Sequence, residues 1–185
     1  MKSVEEVLMD IVDLCEELQL EYVIMGGIAV RVHGIPRPTY DVDFQMSIDE
    51  SSLHRFFDQA EARSYEINSI YRTGWRDEVG AMPLVKMQTF LAEGQSVDVD
   101  IFISETAFQN SLMRRRLSIE FEGRRLFFVT PEDLILLKLI ANRPRDLGDV
   151  GDVLFMQGQL DETYMKHWAV KLDIHQRLEQ AFHND

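Results

Sequence analysis

Two pairs of aspartates, each pair separated by one valine, are the residues of this sequence best suited to chemistry: Asp41 and Asp43, then Asp98 and Asp100. On a strand, side chains two residues apart leave the same face, about 7 Å apart at Cα. Like charges this close raise each other's pKa unless a cation lies between them. Mg²⁺ prefers such oxygen ligands. If the two strands are neighbours, the sequence predicts a two-metal site for phosphoryl chemistry.

A pair of glycines precedes the first aspartate pair. Gly26 and Gly27 close the apolar run 22–25, which predicts a buried strand followed by a tight turn into a helix. Backbone N–H groups at such a turn approach phosphates closely. Taken alone, D-x-D favours a solvated strand face and Gly-Gly a plain turn. Their order, together with a later acidic strand, favours a functional site.

The spacing of apolar residues places these motifs on secondary structure. Predicted helices cover residues 4–18, 28–33, 51–63 and 131–141, and two or three more follow residue 146. Predicted strands cover 22–25, 41–48, 83–91, 97–103, 118–121 and 124–129, with turns at 93–95 and 122–123. Thr130 and Pro131 form a strong helix start. The fold class is therefore α/β (α+β), with a core over residues 1–130 and a helical region over 131–185 packed on it as one compact domain.

Composition limits the classes of function. The chain has 185 residues, is 45% hydrophobic and carries 19 Lys+Arg against 32 Asp+Glu, a net charge of −13. These values predict a globular domain, and the acidity argues against wrapping a polyanion over a broad surface. No apolar run reaches the length of a membrane span, and the N-terminus lacks the pattern of a signal peptide. The single cysteine excludes an internal disulfide and a Cys-rich zinc site, so a cytoplasmic location is expected.

The sequence resembles the nucleotidyltransferases of the DNA polymerase β superfamily. It is most similar to the small bacterial and archaeal branch that includes AbiEii-type toxins and minimal nucleotidyltransferases. The resemblance spans about residues 20–155. It rests on the Gly-Gly and D-x-D motifs and on His33-Gly34, Arg37, Thr39, Val99–Phe102, Pro131–Leu139 and Arg143–Val150.

The resemblance implies a mixed β-sheet flanked by helices and an Mg²⁺-dependent (or Mn²⁺-dependent) transfer of a nucleoside monophosphate from an NTP to an acceptor hydroxyl. It implies that Asp41 and Asp43 hold the metals. It also implies a third carboxylate, assigned to Asp100 with Asp98 as the alternative, which ligates the catalytic metal and helps to deprotonate the acceptor. The nucleotide contacts it implies are Gly26 and Gly27 to the β/γ-phosphates, then Arg37, Thr39 and Lys138.

Several of these residues have a structural alternative. Arg37 clamps phosphate or is exposed on a loop. Lys138 contacts the triphosphate or the acidic cluster, or it lies at a helix edge with its head in water. The spacing of Asp146, Asp149 and Asp152 places them on one helical face, where salt bridges with Arg143 or Arg145 are expected rather than a metal.

The acceptor stays open among RNA such as tRNA, a protein and a small molecule such as an aminoglycoside. The run Arg114–Arg116, with Arg124 and Arg125 nearby, is either an RNA contact or a solvated charge run. Many family members carry Gly-Ser where this chain has Gly26-Gly27, so a hydroxyl contact to phosphate is missing. The chain also leaves little room for a separate acceptor-binding domain.

The branch implies a toxin–antitoxin or phage-defence component with a cognate antitoxin. The alternative functions are a catalytically silent nucleotide- or metal-binding module and a protein-interaction partner.

Overall fold

A computed structural model of the protein describes residues 3–90 and 95–183, which form one mixed sheet and eight α-helices. The strands are β1 (Glu21–Met25), β2 (Asp41–Ser47), β3 (Glu66–Ile67), β4 (Asp77–Val79), β5 (Met82–Phe90), β6 (Ser96–Ile103), β7 (Leu117–Phe121) and β8 (Arg124–Phe128). The helices are α1 (Val4–Glu17), α2 (Gly26–His33), α3 (Glu50–Ala62), α4 (Ala107–Arg115), α5 (Pro131–Ala141), α6 (Pro144–Met156), α7 (Glu162–Lys171) and α8 (His175–His183).

The sheet has the strand order β3-β5-β6-β2-β1-β8-β7, and β4 also pairs with β5. β2 lies near the middle, antiparallel to β1 and parallel to β6. β5 runs antiparallel to β6 on the outer side. This architecture confirms the predicted fold class and places the two acidic strands side by side.

Local sequence explains where the main helices begin. Ser3, Asp49, Thr106 and Thr130 each cap the start of a helix by accepting a backbone hydrogen bond through a side-chain oxygen. α2 begins at Gly26, immediately after β1 and two residues before the predicted start. The connection is this tight because Gly26 adopts a φ of +62°.

Alternating side chains build the core around β2 and β6. Val42, Phe44, Val99 and Ile101 are fully buried, whereas the aspartates between them point to the other face of the sheet. α1 packs on α3 and β2, and α2 packs on β1, β2 and α5. The apolar residues between the aspartates are therefore part of the core, and helices pack on β2, which carries the first aspartate pair.

The structure contains elements that apolar spacing did not predict. β3, β4 and a 3₁₀ helix over Ser69–Thr73 lie between α3 and β5. Part of the predicted turn at 93–95 lies outside the described residues. Three helices follow α5, in agreement with the prediction, and α6 begins at Pro144. No helix in the described ranges is long and apolar enough to cross a membrane.

A buried acid connects the C-terminal helices. Asp133 in α5 has no exposed surface and accepts hydrogen bonds from the Tyr164 hydroxyl at 2.6 Å and the Thr130 hydroxyl at 2.8 Å. The Arg115 guanidinium lies 3.7 Å from the centre of the Tyr164 ring. Burial raises the pKa of Asp133, and its hydrogen bonds oppose that rise. The contact thus joins α4, α5 and α7.

We expect Tyr164→Phe to lower the free energy of unfolding by about 1–3 kcal/mol, because Asp133 loses a donor in a buried position. Urea denaturation at neutral pH measures the change. Tyr40→Phe is the matched control, since Tyr40 is 71% exposed and loses the same hydroxyl. Equal effects of the two substitutions would contradict the role given to this hydrogen bond.

Candidate active site

The register of β2 and β6 brings the four predicted aspartates together. Asp41 pairs with Asp98, and Asp43 pairs with Asp100. Neighbouring strands lie about 4.8 Å apart, so each pair consists of adjacent side chains on one face. Asp43 and Asp100 are half-buried, whereas Asp41 and Asp98 are exposed. The hypothesis that the two acidic strands are neighbours is confirmed.

Burial and neighbouring negative charge raise the pKa values of the two half-buried carboxylates, Asp43 and Asp100. Burial raises the pKa of Asp43 to about 7, with further contributions from the charges of Asp41 and Asp100. Burial also raises the pKa of Asp100, although the Lys86 ammonium opposes the rise. Within the described residues, the side chains of Asp43 and Asp100 accept no hydrogen bond and form no ion pair. The centre therefore holds negative charge without a bonded cation.

The glycine turn packs directly against these carboxylates. A Cβ at Gly26 would overlap the carboxyl group of Asp43, and a Cβ at Gly27 would overlap the hydroxyl of Thr39. That hydroxyl donates a 2.6 Å hydrogen bond to Asp41 Oδ1. Thr39 therefore places a hydroxyl where a side chain at position 27 would begin. The N-terminus of α2 and the first aspartate pair form one contiguous surface.

A cluster of paired charges, the α6 charge cluster, faces the aspartates from α5, α6 and the loop after α2. It consists of Lys138, Asp146, Asp149, Arg37 and Arg143. The Lys138 ammonium lies 3.0 Å from Asp146 Oδ1 and 2.7 Å from Asp149 Oδ2. Arg37 donates two hydrogen bonds to Asp149, at 2.6 and 2.7 Å. Arg143 Nε donates to Asp146 Oδ2 at 2.6 Å.

The α6 charge cluster keeps its acids ionised. Burial alone would raise the pKa values of Asp146 and Asp149, but hydrogen bonds from Arg143 and Lys138 to the first, and from Arg37 and Lys138 to the second, lower them. The salt bridge expected between Asp146 and Arg143 is confirmed. Arg145 instead donates to the Pro38 carbonyl at 2.7 Å.

Lys138 departs from two of the three alternatives drawn from the sequence, the exposed helix edge and the contact with the strand aspartates. Its head is not in water, since the residue is only 6% exposed, and its ammonium binds the α6 acids rather than the strand aspartates. An unpaired ammonium at this depth would be costly, and these two carboxylates compensate it. Arg37 is half-buried and combines a salt bridge with a position at the cavity wall.

Three cavities meet at the aspartates. The cation-lined cavity, of about 130 Å³, is bounded by Asp41 and Asp43 together with Gly27, Arg37, Lys138, Arg143, Arg145 and Asp146. The central cavity, of about 210 Å³, adds Gly26, Asp100 and apolar walls that include Met82, Phe102 and Leu134. The outer cavity, of about 530 Å³, is bounded by Asp41, Asp98 and Asp100 together with Lys86, Gln88, Glu66 and Tyr71.

Sequence reasoning missed Lys86, which pairs with Asp100 across β5 and β6. The signal was present in the strand pattern: Lys86 and Gln88 interrupt an apolar run with period two, which places both on one face. Asp98 lines only the outer cavity, whereas Asp100 lines both the central and the outer one.

The donor chemistry of the centre suits a divalent cation. As they stand, no three His, Cys, Asp or Glu side chains in the described ranges form a group that could hold a metal ion. The Cα atoms of Asp43 and Asp100 are nevertheless register partners, and Asp41 lies two residues along the same strand. These positions place three carboxylates on one face of the sheet, and carboxylate oxygens are the ligands that a hard divalent cation takes.

Comparison with known proteins finds a matching family and solved structures of similar fold. The family described as nucleotidyltransferase of unknown function (DUF6036) matches residues 2–181. The structure is similar to the lincosamide antibiotic adenylyltransferase LnuA bound to lincomycin, with 17% identity, a TM-score of 0.55 and coverage of 85% of this chain and 100% of that chain. No curated protein has a sequence that matches the chain significantly.

Two further solved structures share the fold. The protein ANT(2″)-Ia, solved in complex with adenylyl-2″-tobramycin, has 12% identity and a TM-score of 0.54, with 96% of this chain and 97% of that chain covered. An antigenic nucleotidyltransferase-like protein from Paracoccidioides brasiliensis has 18% identity and a TM-score of 0.52, with 95% and 89% covered. The fold is thus that of nucleotidyltransferases.

We expect Asp43→Asn to stabilise the metal-free protein, and more so at pH 8 than at pH 5. The pKa of Asp43 in the folded state is about 7, above the unfolded value, so the folded state loses stability as pH rises and this group ionises. The neutral amide does not ionise, and we expect its melting temperature to exceed that of the wild type by about 4 °C at pH 8.

Thermal unfolding in the presence of a chelator measures the effect of Asp43→Asn at both pH values. Asp152→Asn, on α6 outside the three cavities, controls for the loss of one negative charge. A pH-independent difference would contradict the proposed repulsion.

We expect Gly27→Ala to cost about 1–3 kcal/mol of folding stability, since the new methyl group overlaps Thr39. Adding Thr39→Gly to the same chain should recover part of the loss, because it removes the atoms that the methyl group meets. Gly148→Ala in α6 is the control: its Cβ meets open space, and the substitution should be neutral or stabilising. Denaturant unfolding of the wild type and these three variants tests this, and a Gly27→Ala variant as stable as the wild type would refute the close approach.

Proposed function

Because this chain belongs to the nucleotidyltransferase family of unknown function DUF6036, we propose that it transfers a nucleoside monophosphate from an NTP to an acceptor hydroxyl. One observation carries the proposal: the carboxylates of Asp43 and Asp100 are register partners and lie beside the glycine turn of α2. The cation-lined cavity borders the same turn at Gly27 and is also lined by Asp43. Carboxylates, a helix N-terminus and arginines are the groups that phosphoryl transfer requires.

The cation-lined cavity would receive the β- and γ-phosphates. Gly27 has no side chain there, so the backbone N–H groups at the start of α2 are open to phosphate oxygens. The guanidiniums of Arg37, Arg143 and Arg145 would bind the same oxygens, with the fork geometry that suits phosphate. Thr39 would offer its hydroxyl in place of the serine that many family members carry.

Lys138 has a positioning role in this proposal. Its ammonium is held between Asp146 and Asp149, and these acids also hold Arg143 and Arg37. Lys138 would therefore set the orientation of the arginines through the α6 acids. Two of its three N–H donors serve these acids, so one donor remains for a direct bond to a phosphate.

Asp41, Asp43 and Asp100 would hold Mg²⁺, or Mn²⁺ in its place. When bound, the metal would neutralise charge on the triphosphate and lower the pKa of the attacking hydroxyl. Asp100 would accept the proton of that hydroxyl, and burial raises its pKa, which makes it a stronger base than an exposed aspartate. Asp98, which lines only the outer cavity, is the weaker candidate for this role.

In the reaction itself, the acceptor oxygen forms a bond to the α-phosphorus, and the bond from that phosphorus to the bridging oxygen breaks. Pyrophosphate leaves with the bonding electrons into the cation-lined cavity. The hydroxyl proton goes to Asp100.

This proposal keeps three hypotheses drawn from the sequence. They are membership of the AbiEii-type branch, a toxin–antitoxin or phage-defence role, and a cognate antitoxin. LnuA and ANT(2″)-Ia, which share the fold, are named for antibiotics. Their names support including small molecules beside RNA and protein among the acceptors to be tested.

The test measures both binding and transfer. Each α-³²P-NTP is first bound to the protein at equilibrium, with and without Mg²⁺, and then incubated with RNA, protein and small-molecule acceptors. Asp41→Asn and Asp43→Asn are the site variants, and Asp152→Asn is the control. We expect Mg²⁺-dependent NTP binding and label transfer in the wild type and the control, and a loss of transfer of at least about 100-fold in the site variants.

Mg²⁺-dependent NTP binding without transfer to any acceptor class would favour the catalytically silent module. Absence of NTP binding by the folded wild type would contradict the proposal and favour a protein-interaction role.

A further inference from the structure

We propose that the outer cavity binds the acceptor and selects a small hydroxylated molecule that carries amines, an assignment that rests on the proposed function. The outer cavity borders Asp41 and Asp100, so an occupant reaches the carboxylates directly. Its chemistry differs from that of the cation-lined cavity on the other side.

Strand register builds the floor of the outer cavity. One row of partners crosses four strands through Glu66, Gln88, Asp98 and Asp41. The next row toward the centre begins at Lys86 and continues through Asp100 to Asp43. Register partners point to the same face of the sheet, so both rows present polar side chains to the outer cavity. Such a floor offers many hydrogen-bond acceptors and few hydrogen-bond donors.

The size of the outer cavity suits a small molecule. Its volume of about 530 Å³ falls within the range of ligand pockets, about 300–1,000 Å³. Asn68 and Tyr71, from the 3₁₀ helix segment that follows β3, close one side. The Tyr71 hydroxyl donates to Asp77 at 2.9 Å, which fixes the ring at the wall. A hydroxylated ring of sugar size would contact floor and wall together.

Charge selects the class of occupant. Four acids line the outer cavity (Asp41, Glu66, Asp98 and Asp100), and Lys86 is the one cation among its lining residues. Lys86 is the register partner of Asp100, so its ammonium lies beside that acid rather than at the rim of the cavity. Glu66 and Asp98, farther from the centre, remain to bind ammonium groups. A polyanion would meet repulsion here.

Arginines of the basic run, which could favour an RNA acceptor, form ion pairs with acids outside the outer cavity. Arg115 pairs with Glu132 and Asp133, and Arg116 pairs with Glu21. Arg124 pairs with Asp13 and Glu16. None of these arginines lines the outer cavity. Three of the five arginines of this basic group are thus paired with acids within the fold.

The test compares charged and neutral forms of one probe. Tobramycin and its fully N-acetylated form have the same hydroxyl framework, but only the first carries ammonium groups. Calorimetry measures the binding of both, and of tRNA, to the wild type, Glu66→Gln and Glu66→Lys. Glu120→Gln is the matched control, because Glu120 is an exposed strand acid on β7 at the opposite edge of the sheet.

We expect tobramycin to bind at least about 10-fold more tightly than its acetylated form. Glu66→Gln should weaken tobramycin binding about threefold, Glu66→Lys should weaken it further, and the control should leave it unchanged. Equal binding of the two forms, or no effect of Glu66→Lys, would overturn the proposal.

Mg²⁺·NTP binding and label transfer, measured on the same samples, separate the two hypotheses. If the NTP binds and the label goes to RNA or protein, the acceptor assignment fails and the transferase stands. If the wild type binds no NTP, the proposed function fails, and the acceptor assignment fails with it.

Discussion

Repulsion among carboxylates held by strand register is the constraint around which the rest of the structure is arranged. Asp43 and Asp100 are partners in a parallel pair, and neither moves away without breaking that pairing. On the opposite face, Phe44 and Ile101 are fully buried. A slip of one residue would expose these apolar side chains and bury the acids. Burial of apolar side chains thus offsets the unfavourable free energy of holding these carboxylates close together.

The compensating positive charge is kept near the aspartates but not bonded to them. Arg37, Arg143 and Lys138 form their ion pairs with the acids of α6, and none with Asp41 or Asp43 in the described residues. A direct salt bridge between the two sets would fill the cation-lined cavity. Asp146 and Asp149 prevent this by holding the cations back, so the cavity keeps opposite charges on its two walls. A metal-bound triphosphate, which carries both signs of charge, matches such a cavity.

Local sequence patterns predicted the parts of the site that are themselves local. The acid pairs, the glycine turn and the Thr130 helix start each depend on neighbouring residues, and the structure contains all of them. The partners of Arg37 depend on a contact across 112 residues, which spacing does not reveal. The short elements between α3 and β5 were missed because two or three residues show no periodicity. The wall of the outer cavity comes from this segment, so its shape was not predictable.

In the proposed reaction, one geometric requirement accounts for the opposite charges of the cation-lined cavity and the outer cavity. In-line displacement places the attacking and leaving oxygens on opposite sides of the phosphorus. In the proposed reaction, pyrophosphate leaves toward the arginines, so the acceptor must approach from the side of Asp100. The outer cavity lies on that side, and its acids repel a triphosphate that enters in the wrong orientation. The same charges that would select an amine-bearing acceptor would therefore also orient the nucleotide.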